Sequence, residues 1–207
     1  MDDYRLGLWV AEQARNSGAQ LFEHTAISTI SGDGEVVGEN GYTGHFDRVV
    51  NVAGPWALQL CKQSNYEIPY QLDLIRGSHL VIERPCVQAY FLEAPGENRI
   101  FFVLPWKGNT LVGTTEVRQK LNEPITCSEY EEAYLLKAYN HYRNENMINT
   151  NIVERFSGLR PLVKSADDPT RVSREYVIHR NNKLVTVLGG KWTTSLALAR
   201  KVSNIIR

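Results

Sequence analysis

Several simple functional classes are excluded by what this sequence lacks. Only three of its 207 residues are cysteine, and Cys61, Cys86 and Cys127 form no C-x-x-C pair. Neither a disulfide framework nor a zinc site is expected, and the thiols read as reduced side chains of a cytoplasmic protein with no metal. Charge of one sign is not in excess. Lys+Arg and Asp+Glu each number 23, so the basic surplus of a nucleic-acid-binding domain is missing. No run of roughly 18 apolar residues is available to span a bilayer. The opening Met1-Asp2-Asp3-Tyr4-Arg5 is acidic where a secretory leader is basic and then apolar. Internal repeats and low-complexity tracts are absent. So are G-x-S-x-G, the P-loop, H-E-x-x-H and G-x-G-x-x-G; Gly32-Asp33-Gly34 lacks the third glycine and reads as a hairpin turn. With 43% hydrophobic and 22% charged residues, what remains is a globular chain rather than a disordered one.

The two ends share one style. A first helix is expected, capped by Asp2 or Asp3, with Leu6, Trp9, Val10 and Ala14 on one face and Gly18 as its left-handed stop. An extended run over 20–30 leads through Gly32-Asp33-Gly34 into a return strand from Glu35 to Val37, with a second turn at Asn40-Gly41. The short apolar run 48–53 has the form of a strand buried on both faces, as in a parallel sheet. At the other end, Leu184 to Leu188 is a second strand of this type, followed by Gly189-Gly190 and a helix whose inner side holds Leu198, Val202 and Ile205. The middle differs. Segments 72–75, 79–82, 89–92, 100–104 and 110–113 are short and punctuated by Gly, Pro or Asn, which suggests an antiparallel sheet. A helix over 128–144 is expected to turn Tyr130, Ala133, Tyr134, Lys137, Ala138 and His141 to one face.

The chemistry-bearing segments are few. Val187 to Thr194 delivers a strand to two glycines, then a lysine and a helix start. Glycines permit close approach of the backbone, free helix N–H groups attract anions, and Lys191 adds charge, so the segment suits a phosphate or flavin; a plain turn with Thr193 or Thr194 as cap fits it too. Ala53-Gly54-Pro55-Trp56 has the same strand-then-glycine form, with a tight turn as its alternative. Arg76-Gly77-Ser78-His79 places a cation near an imidazole, with Gly77 suited to a bulge. Ser157-Gly158-Leu159-Arg160-Pro161-Leu162 sets an arginine on a constrained turn. Arg160, Arg174 and Lys191 would make a phosphate or carboxylate site if they converge, whereas salt bridges to Asp167, Asp168 and Glu175 are the structural alternative.

Taken together and in order, the segments 3–6, 50–56, 77–79, 112–116, 157–162, 173–176 and 189–194 resemble the FAD-dependent glycerol-3-phosphate dehydrogenases, within the D-amino-acid-oxidase-like flavoproteins. The resemblance implies an α+β fold: part of an FAD-binding domain formed from both termini, 1–66 and 183–207, around an inserted antiparallel-sheet substrate domain, 67–182. It implies oxidation of sn-glycerol 3-phosphate at C2 to dihydroxyacetone phosphate, with hydride passed to FAD and electrons passed on to a quinone or oxygen. By motif match, Ile27, Ala53, Gly54, Trp56, Gly158, Gly189, Gly190, Lys191, Trp192 and Thr193 would contact FAD. His79 and Arg160 would be catalytic, and Arg160, Arg174 and Lys191 would bind the substrate phosphate.

The pattern departs from the family in two places. The family's opening strand with G-x-G-x-x-G and its helical C-terminal region are both absent. The resemblance therefore implies a piece of such an enzyme, inactive and poor at holding FAD by itself, with strand edges that promote self-association. The parent enzyme would be cytoplasmic or peripheral at the inner face of the membrane. Two other readings accompany it: an FAD-dependent amine or 2-hydroxy acid oxidase, and a non-catalytic interaction module.

Overall fold

The computed structural model describes residues 2–143, 148, 151–164, 172–173 and 175–207. Helix α1 (Asp3–Asn16) starts at Asp2, whose Oδ1 accepts from Arg5 N at 3.2 Å, and ends before Gly18 at φ +94°. None of its residues is buried. The extended run after it narrows to β1 (Ile27–Ile30), which pairs antiparallel with β2 (Glu35–Gly38), and β2 with β3 (Thr43–His45).

A second three-stranded sheet joins the chain ends. β4 (Val49–Asn51) lies parallel to β13 (Leu184–Gly189), with Val49 opposite Leu184 and Asn51 opposite Thr186. β12 (Tyr176–Asn181) completes it antiparallel to β13. Leu184 to Leu188 is buried throughout, as a strand covered on both faces requires. On one side it meets α2 (Ala57–Gln63) through Ala57 and Leu188, and on the other α4 (Ser195–Ile206) through Leu198, Val202 and Ile205. The expected inner side of the last helix is the observed one.

The largest sheet runs β11–β10–β5–β8–β7–β6, with β9 (Val117–Arg118) also on β5. Its strands are β5 (Leu72–Ile82), β6 (Tyr90–Glu93), β7 (Ile100–Trp106), β8 (Asn109–Gly113), β10 (Ile152–Lys164) and β11 (Val172–Ser173), all antiparallel. Two expectations are corrected here. The segments around Gly77 fuse into one eleven-residue strand, and Gly77 pairs regularly with Gly158 instead of forming a bulge; the register shift falls at Ile152 and Glu154. Ser157 to Leu162 is no turn but the interior of thirteen-residue β10.

Helix α3 (Glu129–Tyr142) covers one face of this sheet, where Leu80, Ile82, Phe101, Val103, Val112, Leu135, Ala138 and Tyr139 form the main core. Each of the Leu, Ile, Val and Phe side chains among them contributes roughly 1.5–3 kcal/mol by leaving water. The helix turns Glu131, Leu135, Ala138 and Tyr139 inward, while Tyr130 is 76% exposed, so the expected face is corrected by about a third of a turn. On the opposite face Phe91, Phe102 and Phe156 are exposed.

Candidate functional site

Strand alternation divides the polar residues of β5 between two faces. Arg76 and Ser78 point with Leu80 and Ile82 towards α3. Gly77 and His79 point to the open face, where the pairs His79–Phe156 and Gly77–Gly158 bring β10 alongside. The register extends this row across five strands: Phe156, His79, Gly113, Phe102 and Phe91 lie side by side. His79 stacks on Phe156 at 4.9 Å between ring centroids and 13° between planes. On its other side it needs Gly113, because a Cβ there would strike the imidazole.

Two residues along from Phe156 and Gly158 on the same face comes Arg160. With Gly77, His79, Thr114 and Phe156 to Leu159, it lines a hollow of about 290 Å³. The hollow exists because residues 77 and 158 have no side chains. A Cβ on Gly77 would lie 2.7 Å from Arg160 Nη2 and 2.5 Å from Thr114 Oγ1. Arg160 Nη2 donates to the Thr115 carbonyl at 2.9 Å, and Nη1 lies 3.6 Å from a Glu116 carboxylate oxygen. Burial first, and the Arg160 charge second, lower the pKa of His79 from 6.5 to about 4. Its Nδ1 is buried with no hydrogen-bond partner among the described residues. The site thus presents a neutral imidazole beside a fixed cation.

Beneath the strand, on the α3 side, lies a group that sequence reasoning missed. Glu131 is 1% exposed, and its carboxylate accepts from Arg76 Nη2 at 2.7 Å, Ser78 Oγ at 2.8 Å and Thr115 Oγ1 at 2.6 Å. It also accepts from Ser128 N at 3.1 Å and Ser128 Oγ at 2.8 Å. Burial acts to raise its pKa, but the donors outweigh it and hold the group at about 2. The pattern Ser128-x-x-Glu131 before a helix was the available signal, because it is a capping box.

Two further clefts flank the parallel pair: one runs along β4 between the β1–β2 hairpin and α2, and the other lies at the carboxyl end of β13, where strands of such sheets bind ligands. One, about 710 Å³ and mostly apolar, is lined by Ile27, Phe46, Val52, Ala53 and Trp56 among others. The other, about 580 Å³, is lined by Gly189, Gly190, Lys191, Trp192 and one side of α4, and Val52 borders both. Gly54, Gly189 and Gly190 have φ of +57°, +73° and +92°. At Gly189 a Cβ would also lie 2.5 Å from the Glu175 carbonyl, so no other residue fits without movement. Thr194 stands at the N-cap of α4, yet its hydroxyl donates to the Lys191 carbonyl at 3.3 Å and caps no helix N–H. Asn51, also missed by sequence reasoning, is buried and fixes the turn after β4. It donates to the Ala57 carbonyl at 3.0 Å and accepts from Ala53 N at 3.2 Å.

The expected residues therefore fall into three places. His79, Gly158 and Arg160 share the hollow; Ile27, Ala53 and Trp56 share the larger cleft; Gly189, Gly190, Lys191 and Trp192 share the cleft on α4, with Thr193 in the adjoining turn. Lys191 lines a different depression from Arg160, although Gly189 packs against Val163 of the same strand β10. Arg174, Asp167 and Asp168 lie outside the described residues. The three cysteines are free.

A family profile described as FAD dependent oxidoreductase matches residues 1–205. The chain is 34% identical over 218 residues to the aerobic glycerol-3-phosphate dehydrogenase of Escherichia coli K12, covering 96% of this chain and 43% of that protein. Its fold is similar to the glycerol-3-phosphate dehydrogenase of Bacillus halodurans complexed with FAD, with a TM-score of 0.88 at 24% identity, over 100% of this chain and 42% of that one. A reduced L-alpha-glycerophosphate oxidase of Mycoplasma pneumoniae with FAD bound has a TM-score of 0.70 at 20% identity, over 93% and 53%. The chain spans less than half the length of the curated relatives it matches.

Proposed function

Because the chain belongs to the FAD dependent oxidoreductase family, we propose that it forms the substrate side and part of the cofactor side of an enzyme oxidising sn-glycerol 3-phosphate to dihydroxyacetone phosphate. The observation that carries this reading is the hollow in which His79 and Arg160 meet across Gly77 and Gly158. FAD, when bound, supplies the acceptor for the hydride leaving C2. The residues of this chain do the rest. Arg160 binds the phosphate through forked N–H donors. His79, neutral at pH 7, takes the proton of the C2 hydroxyl as the carbonyl forms.

The low pKa of free His79 belongs to this scheme. A phosphate dianion beside Arg160 offsets the smaller of the two causes, the Arg160 charge, and so raises the basicity of His79 in part, while burial continues to hold the imidazole neutral. The clefts at β4 and β13 suit a flavin dinucleotide: one is mostly apolar and lined by Ile27, Ala53 and Trp56, and the other offers paired glycines, Lys191, Trp192 and uncapped helix N–H groups, with Thr193 in the adjoining turn. In the same reading the chain divides at 66 and 182 into cofactor and substrate regions, though β12, from the middle span, hydrogen-bonds to β13. Arg174, which lies outside the described residues, and Lys191, which lines the cleft on α4, are assigned to the phosphate by the family resemblance alone. The electrons pass on to a quinone or oxygen, and a quinone partner would bring the enzyme to the inner face of a membrane. No described helix is long and apolar enough to cross one.

Arg160→Ala in the flavoenzyme that contains this chain tests the reading. A charge-assisted hydrogen-bond pair contributes about 1.5–3 kcal/mol, so KM for glycerol 3-phosphate is expected to rise roughly 10–100-fold. An unchanged KM overturns the phosphate assignment. One observation favours a second reading: Arg160 is the only cation lining the hollow among the described residues, and one guanidinium also suits a carboxylate. Turnover of 2-hydroxy acids or amino acids in preference to glycerol 3-phosphate would select that amine or 2-hydroxy acid oxidase.

A further inference from the structure

Glu131 is over-provided for as a helix cap. A capping box requires Ser128 N to donate to the Glu131 carboxylate and Ser128 Oγ to accept from Glu131 N, and both bonds are present, but further donors converge on the same carboxylate from Arg76, Ser78 and Thr115. A buried ion pair of this kind is weak evidence for stability, since apolar residues of similar volume do as well or better. Its connections point elsewhere. Thr115 Oγ1 donates to Glu131 and accepts from Ser78 N at 2.8 Å, so residue 115 is pinned from below to both α3 and β5. The carbonyl of that same residue receives Arg160 Nη2 at 2.9 Å, and the next carboxylate, Glu116, lies 3.6 Å from Arg160 Nη1. Arg99 holds the carbonyl of the preceding residue, Thr114. The short segment 114–116, which joins β8 to β9 alongside β5, thus has Glu131 on one face and the guanidinium of Arg160 on the other.

We propose that Glu131 is a positioning residue, which holds Thr115 in place so that the Thr115 carbonyl and Glu116 aim Arg160 into the hollow beside His79. It touches neither substrate nor reacting atoms. The inference rests on the reading of Arg160 as the phosphate ligand. Glutamine at 131 keeps the shape but turns one acceptor into a donor, facing hydroxyls and a guanidinium that already donate. Thr115→Val is the sharper cut: it is close in shape and leaves Arg76 and Ser128 on the carboxylate, but severs the link to the segment.

The experiment uses the FAD-loaded enzyme that contains this chain and compares Glu131→Gln, Thr115→Val, Arg160→Lys and the two doubles with Arg160→Lys. Loss of one aiming contact to a charged group predicts a rise of roughly 10-fold in KM for glycerol 3-phosphate in Glu131→Gln and in Thr115→Val, with kcat within about 3-fold of wild type and flavin content unchanged. In the Arg160→Lys background both effects should shrink to less than about 2-fold, because the coupling runs through the guanidinium. A merely structural role would not produce that collapse. If the 10-fold effects persist in the doubles, or if KM rises in Arg160→Lys but not in Glu131→Gln or Thr115→Val, the inference is overturned while the phosphate reading stands. If Arg160→Lys leaves KM unchanged, both fall. Should Glu131→Gln fail to fold, the Thr115→Val pair decides by the same criteria.

Discussion

His79 and Glu131 occupy opposite faces of the same region of sheet, and both are held below their ordinary pKa, His79 chiefly by burial and Glu131 by its hydrogen-bond donors against burial. The folded pKa of His79, about 4, lies below its ordinary 6.5. Between those values the unfolded chain binds a proton that the folded chain refuses, so this contribution is complete above pH 6.5 and is lost as pH falls towards 4. Integrated over that window it amounts to about 3 kcal/mol at most. Glu131, held at about 2 against an ordinary 4.5, contributes stability that is complete above pH 4.5 and is lost only as pH falls towards 2. The urea midpoint of the chain should therefore drop between pH 6.5 and 4.5, and His79→Asn should flatten that part of the curve while leaving the more acidic part alone. A wild-type midpoint that does not move between pH 7 and 4.5 would contradict a buried neutral imidazole. Losing the base in the assembled flavoenzyme should lower kcat by roughly 10²–10⁴-fold. A KM change without a kcat change in His79→Asn would remove His79 from proton transfer. Gly77 acts on the same site by having no side chain, since a Cβ there would meet Arg160 Nη2 at 2.7 Å.

Among the elements, α3 shows most plainly where the sequence could and could not be read. Its Ser128 cap and its length follow from local chemistry, but its inner face does not, because an inward carboxylate interrupts the apolar stripe that periodicity counts. Glu131 faces the core only because Arg76, Ser78 and Thr115, distant in sequence, supply donors for it. The two faces can be told apart by substitution. Leu135→Ala, at a fully buried position, should destabilise the chain by roughly 2–5 kcal/mol, whereas Tyr130→Ala on the solvent side should stay within about 0.5 kcal/mol. Equal losses in thermal unfolding would mean that the helix is turned the other way. Strands β4 and β13 were legible for the converse reason: a strand covered on both faces announces itself as an unbroken apolar run. In β5 and β10, Gly77, Gly158 and Pro161 looked like punctuation. They sit instead in paired strands, where the register of one glycine against the other hollows out the site. Motif order in the sequence pointed to His79 and Arg160, but their meeting depends on that register, which no local pattern states.

Over the whole molecule, the distribution of apolar surface is uneven in a way that zero net charge leaves unopposed. The main core is closed by α3, and the parallel pair by α2 and α4. By contrast, α1 buries none of its residues and exposes Tyr4, Leu8, Trp9 and Val10. The rims of the β4 and β13 clefts expose Val52, Trp56 and Trp192, and the open face of the large sheet exposes Phe91 and Phe102. Patches of this kind on a chain with 23 charges of each sign have little long-range repulsion to keep copies apart near neutral pH. The purified chain is therefore expected to self-associate, and the salt dependence should identify the force. Charge pairing weakens as salt screens it, whereas apolar contact strengthens in ammonium sulfate, which is excluded from the surface. Light scattering should show an apparent mass that grows with protein concentration and grows further with ammonium sulfate. The double substitution Leu8→Glu and Trp9→Glu tests whether α1 carries the contact: it removes exposed apolar area without touching any buried residue, so folding should be unaffected while association weakens. If the wild-type chain stays monomeric across concentration and salt, the exposed face of α1 is tolerated by itself. If association persists unchanged in the double variant, the contact lies instead on the cleft rims or on the Phe91 and Phe102 face.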